Sequence, residues 1–283
     1  MWLPPHPRWL RVDGLRTSYV DVGDGPVVVL VHGLGHSTHA WRKNLAPLAH
    51  AGYRVMAIDL PGFGYSDAPE EYTLDRYVAF LRGWLELHCV EQASLVGNSM
   101  GGLIVAATAA AHPDRVNAAV LVDPGGFSTP LHWALRVAAA LAPSRLLTRR
   151  VPTQRQIRHA LRFVYHDPSL IEDDEVARIA ELSARQGVRE SLRLIGHRAG
   201  GLIGMRPGMG LGQVPAEITV PTLVLWGRYD KVVPISHAQK VLAVARDAEY
   251  TVFENSGHCP MMEVPDAFNA RLLEFLRARV PPG

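Results

Sequence analysis

The stretch that decides the fold is Ser94-Leu95-Val96-Gly97-Asn98-Ser99-Met100-Gly101-Gly102. An apolar run ends at Gly97, and a run of small residues typical of a helix begins after Ser99. Side chains at the glycine positions would collide in so tight a strand-to-helix turn. The pattern predicts a nucleophile elbow, which exposes the Ser99 hydroxyl and directs the backbone N–H of Met100 at the same space as an oxyanion donor.

The glycines around Ser99 also have a second interpretation, without chemistry. A Gly-rich turn lets a strand and a helix pack closely, whatever residue lies between the glycines. The rest of the chain decides between the two, because a catalytic serine of this kind needs an acid and a histidine after later strands.

The composition is that of an ordinary globular protein. The chain has 283 residues, of which 48% are hydrophobic and 20% are charged, so one large domain with an insertion fits better than two equal domains. The formal net charge of +2 gives no sign of a nucleic-acid partner. The two cysteines, Cys89 and Cys259, form neither a disulfide framework nor a metal-binding pattern.

The first residues and the hydropathy pattern set the expected compartment. The N-terminus lacks the basic and apolar regions of a secretory signal. No apolar run approaches the roughly 20 residues that span a bilayer. We therefore expect a cytoplasmic protein without a transmembrane segment.

Apolar runs alternate with helical patterns along most of the chain. A hairpin is predicted around Asp13-Gly14. The predicted buried strands are 27–31, 53–59, 93–97, 118–122, 222–227 and 249–253, and the predicted helices are 41–50, 73–88, 100–111, 236–246 and 265–279. This alternation predicts a mostly parallel sheet with helices on both faces.

The alternation stops between residues 127 and 215, where helical patterns are interrupted by prolines and glycines. Residues 128–214 hold thirteen arginines, seven acidic residues and no lysine. The segment is predicted to be a helical insertion. Its arginines have two interpretations: a solvated face, which we favour, or attraction of an acidic substrate or an anionic lipid surface.

Ser99, Asp230 and His258 each follow a predicted parallel strand, so all three are expected at one edge of the sheet. In this arrangement the imidazole removes the serine proton, and the carboxylate orients and stabilises the imidazolium. Asp123 also ends a strand and is the alternative acid, although a role in capping its loop fits it better. The second oxyanion donor is predicted to be the Leu34 N–H, in the loop after the 27–31 strand.

Five motifs, in this order, resemble those of the α/β-hydrolase fold family over nearly the whole chain. They are His32-Gly33, Asp59-Leu60-Pro61-Gly62-Phe63-Gly64-Tyr65-Ser66, Gly97-Asn98-Ser99-Met100-Gly101-Gly102, Trp226-Gly227-Arg228-Tyr229-Asp230, and Gly257-His258 with Glu263 and Pro265. The resemblance implies an eight-stranded, mostly parallel sheet. It also implies a core domain of residues 1–126 and 216–283, a helical cap of residues 127–215 after the sixth strand, and usually no cofactor. A serine nucleophile departs from the family's haloalkane dehalogenases and epoxide hydrolases.

The resemblance leaves the bond that is cleaved open. The elbow with Asn98 is similar to that of meta-cleavage-product hydrolases, which cleave carbon–carbon bonds. Those enzymes tend to carry an aromatic residue after the histidine, where this chain has Cys259, and a proline in the oxyanion loop. We therefore expect an esterase acting on small-molecule esters with an apolar acyl or aryl part. The alternatives are a carbon–carbon hydrolase and a hydrolase-like protein that only binds ligands.

The substrate pocket is predicted less sharply than the catalytic residues. Its candidate lining residues are Gly33, Gly35, Trp41, Phe127 and Trp133. No metal site is predicted. A homodimer stays open as the assembly.

Overall fold

The computed structural model describes residues 6–126, 151–199, 218–245 and 247–282. Two pocket candidates, Phe127 and Trp133, lie outside the described residues. The division into a core domain and a cap at 127–215 stays a prediction.

An eight-stranded sheet forms the centre of the molecule, with strand order β1-β2-β4-β3-β5-β6-β7-β8. β2 pairs with β1 on one side and with β4 on the other, both in antiparallel fashion, and all other neighbours are parallel. The strands are β1 Arg8–Val12, β2 Leu15–Val22, β3 Val27–Val31, β4 Arg54–Ile58, β5 Ala93–Asn98, β6 Val116–Val122, β7 Thr222–Gly227 and β8 Glu249–Phe253. The predicted eight-stranded, mostly parallel sheet is confirmed.

The hairpin between β1 and β2 forms where the sequence predicts it. Asp13 and Gly14 both have positive φ angles, of 48° and 80°, which match the right-handed twist of the two strands. Val12 and Leu15 pair directly across this turn.

The central strands are buried on both faces, which explains their continuous apolar runs. In β3, Val29 and Val31 belong to one core cluster, while Val28 and Leu30 belong to another on the opposite face. Helices cover both clusters, so the prediction of helices on both faces is confirmed.

The α-helices follow the predicted pattern closely. They are α1 Leu45–His50, α2 Leu74–Leu87, α3 Met100–Ala111, α4 Gln154–Val164, α5 Asp173–Ser183, α6 Gln186–Ala199, α7 Ala238–Leu242, α8 Pro260–Glu263 and α9 Pro265–Arg279. Thr73 caps α2 through its side chain, and Thr153 with Gln156 forms a capping box at the start of α4.

Two predicted helices are shorter than expected. The one predicted at 41–50 begins as a separate 3-10 turn, Thr38–Trp41, before α1 starts at Leu45. The one predicted at 236–246 ends at Leu242, because the next residues turn away to pair with another segment. The Val244 carbonyl accepts a hydrogen bond from the Ile218 N–H at 2.8 Å, and Ile218 forms a parallel bridge with Ala245.

Helices α4 to α6 contact the loops at the carboxyl edge of the sheet. The Val164 carbonyl at the end of α4 accepts a hydrogen bond from the His258 N–H at 2.9 Å. On α6, Ser191 and the Tyr72 hydroxyl lie 2.6 Å apart. In the part of the chain that the structure describes, no helix is long and apolar enough to cross a membrane.

The strand-to-helix turn of β5 and α3 gives a first testable prediction. A Cβ at Gly97 would lie 2.3 Å from the Gly101 carbonyl oxygen, so Gly97→Ala forces two backbone segments apart. We expect the free energy of unfolding to fall by about 3 kcal/mol, or folding to fail. Gly83→Ala is the control, because its Cβ meets only Val12 Cγ1 at 3.5 Å. Equal thermal stability of the two variants would contradict the prediction.

Candidate active site

Ser99 lies at the turn between β5 and α3 in a strained backbone conformation. Its φ and ψ angles are 56° and −117°, in a region that non-glycine residues rarely adopt. Its N–H donates to the Val122 carbonyl at 2.9 Å. A Cβ at Gly101 would lie 2.3 Å from the Val31 carbonyl oxygen, so α3 packs directly on β3. The geometry is that of the predicted elbow.

The oxyanion loop passes beside Ser99. A Cβ on Gly33 would come within 3.1 Å of Ser99 Cβ, so a larger residue there would have to displace Ser99 by a few tenths of an ångström. Among the described residues, the Ser99 hydroxyl and the backbone N–H groups of Leu34 and Met100 have no hydrogen-bond partner. Two unused donors and a free hydroxyl beside the elbow are what an oxyanion site requires.

His32 supports the oxyanion loop from below. It is fully buried, its Nδ1 lies 2.7 Å from the Gly33 carbonyl oxygen, and its Nε2 accepts a hydrogen bond from the Leu60 N–H at 3.0 Å. These partners fix a neutral tautomer with the proton on Nδ1. Burial lowers the pKa of His32 from its ordinary value of 6.5 to about 3.

The neutral state of His32 predicts a pH-dependent stability. The unfolded chain takes up a proton near pH 6.5, whereas the folded chain takes it up only near pH 3. The stability that neutral His32 contributes is therefore complete above pH 6.5 and is lost as the pH falls towards 3. Urea unfolding of His32→Gln, which keeps a donor and an acceptor but cannot titrate, should show a smaller decrease between these pH values. Exposed His50→Gln is the control, and parallel curves for His32→Gln and wild type would contradict the prediction.

The structure brings Asp230 and His258 together at the ends of β7 and β8. His258 Nδ1 lies 2.7 Å from Asp230 Oδ2, and both side chains are buried. The other oxygen, Oδ1, accepts backbone N–H groups of Val232 at 2.7 Å and Val233 at 2.9 Å. Asp230 thus presents one oxygen to the imidazole while its own loop holds the other.

The backbone around His258 is fixed by residues whose role the sequence did not reveal. Glu263 accepts hydrogen bonds from the N–H groups of Gly257 at 2.9 Å and His166 at 2.7 Å. Asn98, beside the serine, donates from Nδ2 to the His258 carbonyl at 3.1 Å. A carboxylate five residues after the histidine was the available signal for Glu263.

Asp123, the alternative acid, is not the residue that contacts His258. Its Oδ1 accepts a hydrogen bond from the Gly227 N–H at 2.9 Å, which joins the ends of β6 and β7. Asp123 is fully buried with a positive φ of 43°. Burial, and next the charge of Asp230, raise the pKa of Asp123 well above its ordinary value.

Ligand atoms of Asp123, Asp230 and His258 all lie within 4.8 Å of one another, which is close enough to surround a metal ion. Ligands of a tetrahedral zinc ion, however, lie about 3.3 Å apart, given zinc–ligand distances of about 2.0–2.1 Å. The 2.7 Å between His258 Nδ1 and Asp230 Oδ2 fits a direct hydrogen bond better than a shared ion.

The sequence model of the α/β hydrolase fold family matches residues 26–265, a range that includes Leu34, Ser99, Met100, Asp230 and His258. The chain belongs to the α/β hydrolase fold family.

Two relatives and one solved structure of this family are similar over almost the whole chain. This chain is 33% identical over 273 residues to a 2-hydroxy-6-oxononadienedioate/2-hydroxy-6-oxononatrienedioate hydrolase from Comamonas testosteroni. The match covers 94% of this chain and 92% of the relative. The chain is 32% identical over 272 residues to a 2-hydroxy-6-oxo-6-phenylhexa-2,4-dienoate hydrolase from Burkholderia cepacia, again covering 94% and 92%. The meta-cleavage product hydrolase CumD from Pseudomonas fluorescens IP01 has a TM-score of 0.79 at 29% identity, covering 96% of this chain and 97% of CumD.

The remaining pocket candidates of this α/β hydrolase occupy different places. Trp41 is completely buried and packs against Phe268, in the core cluster on one face of the sheet. Gly35, with a φ of 75°, approaches Leu192 of α6. Leu34 is 47% exposed.

The described arginines of α4 to α6 mostly have partners. Arg158 pairs with Asp173, and Arg193 pairs with Glu190. Arg185 lies over the Tyr65 ring, 5.2 Å from its centroid. These pairs agree with the solvated-face interpretation.

The Asp230–His258 hydrogen bond generates a prediction about the hydroxyl of Ser99. We expect Asp230→Asn to slow covalent labelling of Ser99 by a fluorophosphonate by about 10²–10⁴-fold, because an amide favours the wrong imidazole tautomer. The second-order rate constant of labelling, followed by mass spectrometry, measures this effect. The exposed Asp75→Asn is the matched control, and a rate within threefold of wild type for Asp230→Asn would exclude Asp230 as the acid.

Proposed function

We propose that this protein is a serine hydrolase that cleaves a carbon–carbon bond in a 2-hydroxy-6-oxo-2,4-dienoate. The observation that carries the proposal is the similarity to dienoate hydrolases over 94% of the chain, with Ser99, Asp230 and His258 at one sheet edge. The sequence favoured an ester. The relatives favour the carbon–carbon alternative, so it becomes the leading function.

In the proposed mechanism the first step forms a bond between Ser99 Oγ and the ketone carbon of the substrate. His258 Nε2 takes the hydroxyl proton, and Asp230 stabilises the imidazolium through Nδ1. The carbonyl oxygen becomes an oxyanion, which the N–H groups of Leu34 and Met100 bind. Neither N–H group has another hydrogen-bond partner among the described residues.

The second step breaks the bond between the ketone carbon and its dienoate neighbour. A carbon leaving group departs only when its electron pair is delocalised. The form that Ser99 attacks is therefore the keto tautomer of the substrate, in which the 2-hydroxyl has lost its proton and the carbon beside the ketone has gained one. In that tautomer the electron pair spreads over the conjugated chain to the 2-oxo group and so forms a dienolate. His258 returns the proton to the leaving group, and an acyl group stays on Ser99. Water activated by His258 then hydrolyses this ester and frees Ser99.

Ester hydrolysis is the second candidate, and one observation favours it. The residue after His258 is the small, buried Cys259, where dienoate hydrolases tend to carry an aromatic side chain. An ester passes through the same tetrahedral intermediate but releases an alkoxide, which needs no conjugation. The same elbow and oxyanion donors therefore serve both substrates, and only the leaving group differs.

The test compares the two substrate classes on the full chain. We expect 2-hydroxy-6-oxo-6-phenylhexa-2,4-dienoate to be cleaved into benzoate and a hydroxypentadienoate, seen as loss of the dienol chromophore and by chromatography. Its kcat/KM should exceed that of p-nitrophenyl butyrate. Turnover of the ester without any turnover of dienoates would make the esterase function the correct one.

Ser99→Ala gives the matching test of the nucleophile. It should lower kcat for the dienoate by about 10³-fold or more while leaving thermal stability unchanged. The exposed Ser169→Ala is the control and should keep full activity. If wild type turns over neither substrate class and Ser99 forms no fluorophosphonate adduct, the ligand-binding alternative replaces the proposal.

A further inference from the structure

Two buried carboxyl groups meet beside the imidazole of His258. Asp123 ends β6 and Asp230 follows β7, the neighbouring strand. A carboxyl oxygen of each and a ring nitrogen of His258 all lie within 4.8 Å of one another. Asp123 is 0% exposed and Asp230 is 6% exposed, so water does not separate their charges effectively. Two carboxylates so close in a buried site do not both ionise near neutral pH.

Hydrogen-bond donors identify Asp230 as the ionised member of the pair. Asp230 accepts from Val232 and Val233 on Oδ1 and lies against His258 Nδ1 with Oδ2. Asp123 accepts one donor, the Gly227 N–H on Oδ1. Its buried Oδ2 receives no hydrogen bond from any donor in the described part of the chain. An oxygen without a donor is the one that carries a proton and can itself donate.

The surroundings of Asp123 disfavour a second negative charge. The titratable groups near it are Asp230, Glu263, Cys259 and Tyr250, and a ring nitrogen of His258 lies within 4.8 Å of an Asp123 carboxyl oxygen. Glu263 and Asp230 add negative potential there, and burial further raises the pKa of Asp123. The charge environment and the missing donor at Oδ2 therefore both favour a protonated, neutral Asp123.

The chain holds Asp123 in this place at a cost. Its φ of 43° lies in the left-handed region, which is unfavourable for a non-glycine residue. The following loop is tied to the elbow, since the Gly125 N–H donates to the Ser99 carbonyl at 3.1 Å. The Asp123 carboxyl group lies beside Asp230 and away from solvent.

We propose that Asp123 is held as a neutral carboxylic acid that donates its Oδ2 proton to the Asp230 carboxylate. Asp123 is then a positioning residue: it acts on Asp230, which acts on His258. The proposal rests on the proposed function only in that His258 serves Ser99, and it is the same for ester and carbon–carbon substrates.

This arrangement predicts two separate effects of removing Asp123. The donated proton is one more hydrogen bond that keeps the Asp230 carboxylate turned towards the imidazole. Because Asp123 is neutral, it adds no charge that would favour the imidazolium before the reaction begins. A neutral donor of the same shape should replace Asp123, whereas an apolar side chain should not.

The experiment compares Asp123→Asn, which keeps a donor without charge, with Asp123→Leu, which has none. Asp123→Asn should keep the rate of Ser99 labelling by a fluorophosphonate within about threefold of wild type. When this rate is measured against pH, the midpoint of its decrease on the acid side should be the same for Asp123→Asn and wild type. Asp123→Leu should be slower by about 10-fold or more, the loss expected for one hydrogen bond to a charged group. The exposed Asp114→Asn is the control for the loss of a carboxyl group.

Two outcomes would overturn the proposal. If Asp123 is ionised, Asp123→Asn removes a negative charge near the imidazole. The acid-side midpoint of the labelling rate would then move to a lower pH, by about one pH unit or more. If Asp123 only fills space, Asp123→Leu labels as fast as wild type. If Asp123→Leu fails to fold, the acid-side midpoint of the labelling rate for Asp123→Asn decides alone.

A spectroscopic measurement separates this proposal from the proposed function. The infrared spectrum of wild type at neutral pH should contain the carbonyl stretch of a buried protonated carboxyl group, which Asp123→Asn lacks. This band needs no turnover, so it tests Asp123 even if Ser99 proves unreactive. If wild type and Asp123→Asn have the same infrared spectrum in that region, Asp123 is not protonated.

Discussion

The close approach of α3 to the sheet is the constraint on which the site depends. Cβ atoms at Gly97 and Gly101 would each fall 2.3 Å from a backbone oxygen, so the helix lies as near the strands as backbones allow. That contact forces the positive φ of Ser99 and begins α3 directly after it. The same strained turn supplies both the free hydroxyl and the free Met100 amide.

The other parts of the site are tied to this turn and to one another by hydrogen bonds to backbone groups. Asn98 holds the His258 carbonyl, and the Ser99 carbonyl accepts the N–H of Gly125 in the Asp123 loop. On the other side, buried His32 fixes the loop that carries Leu34. Four loops from separate strands are therefore positioned relative to one residue, which suits a reaction that needs nucleophile, base and oxyanion donors in register.

The sequence predicted the elements whose signals are local. Continuous apolar runs marked the buried strands, and the elbow glycines marked Ser99. The early end of α7 was not predictable, because it depends on pairing with Ile218, more than twenty residues earlier in the chain. The contacts of Asp123 depend on tertiary neighbours, the Gly227 N–H and the Asp230 carboxyl group, which lie more than 100 residues later in the chain. The sequence could not decide which bond is cleaved, because ester and carbon–carbon hydrolysis use the same nucleophile and differ only in the leaving group. The sequence favoured an ester, whereas the relatives favour the carbon–carbon alternative.

The contact between α4 and the His258 loop has a mechanical consequence. The Val164 carbonyl holds the His258 N–H, and Glu263 bridges the N–H groups of His166 and Gly257. Helix α4 cannot rise from the sheet edge without breaking bonds that fix the backbone of the base. The end of α4 and the His258 loop are thus joined by hydrogen bonds, so a displacement of one would also displace the other.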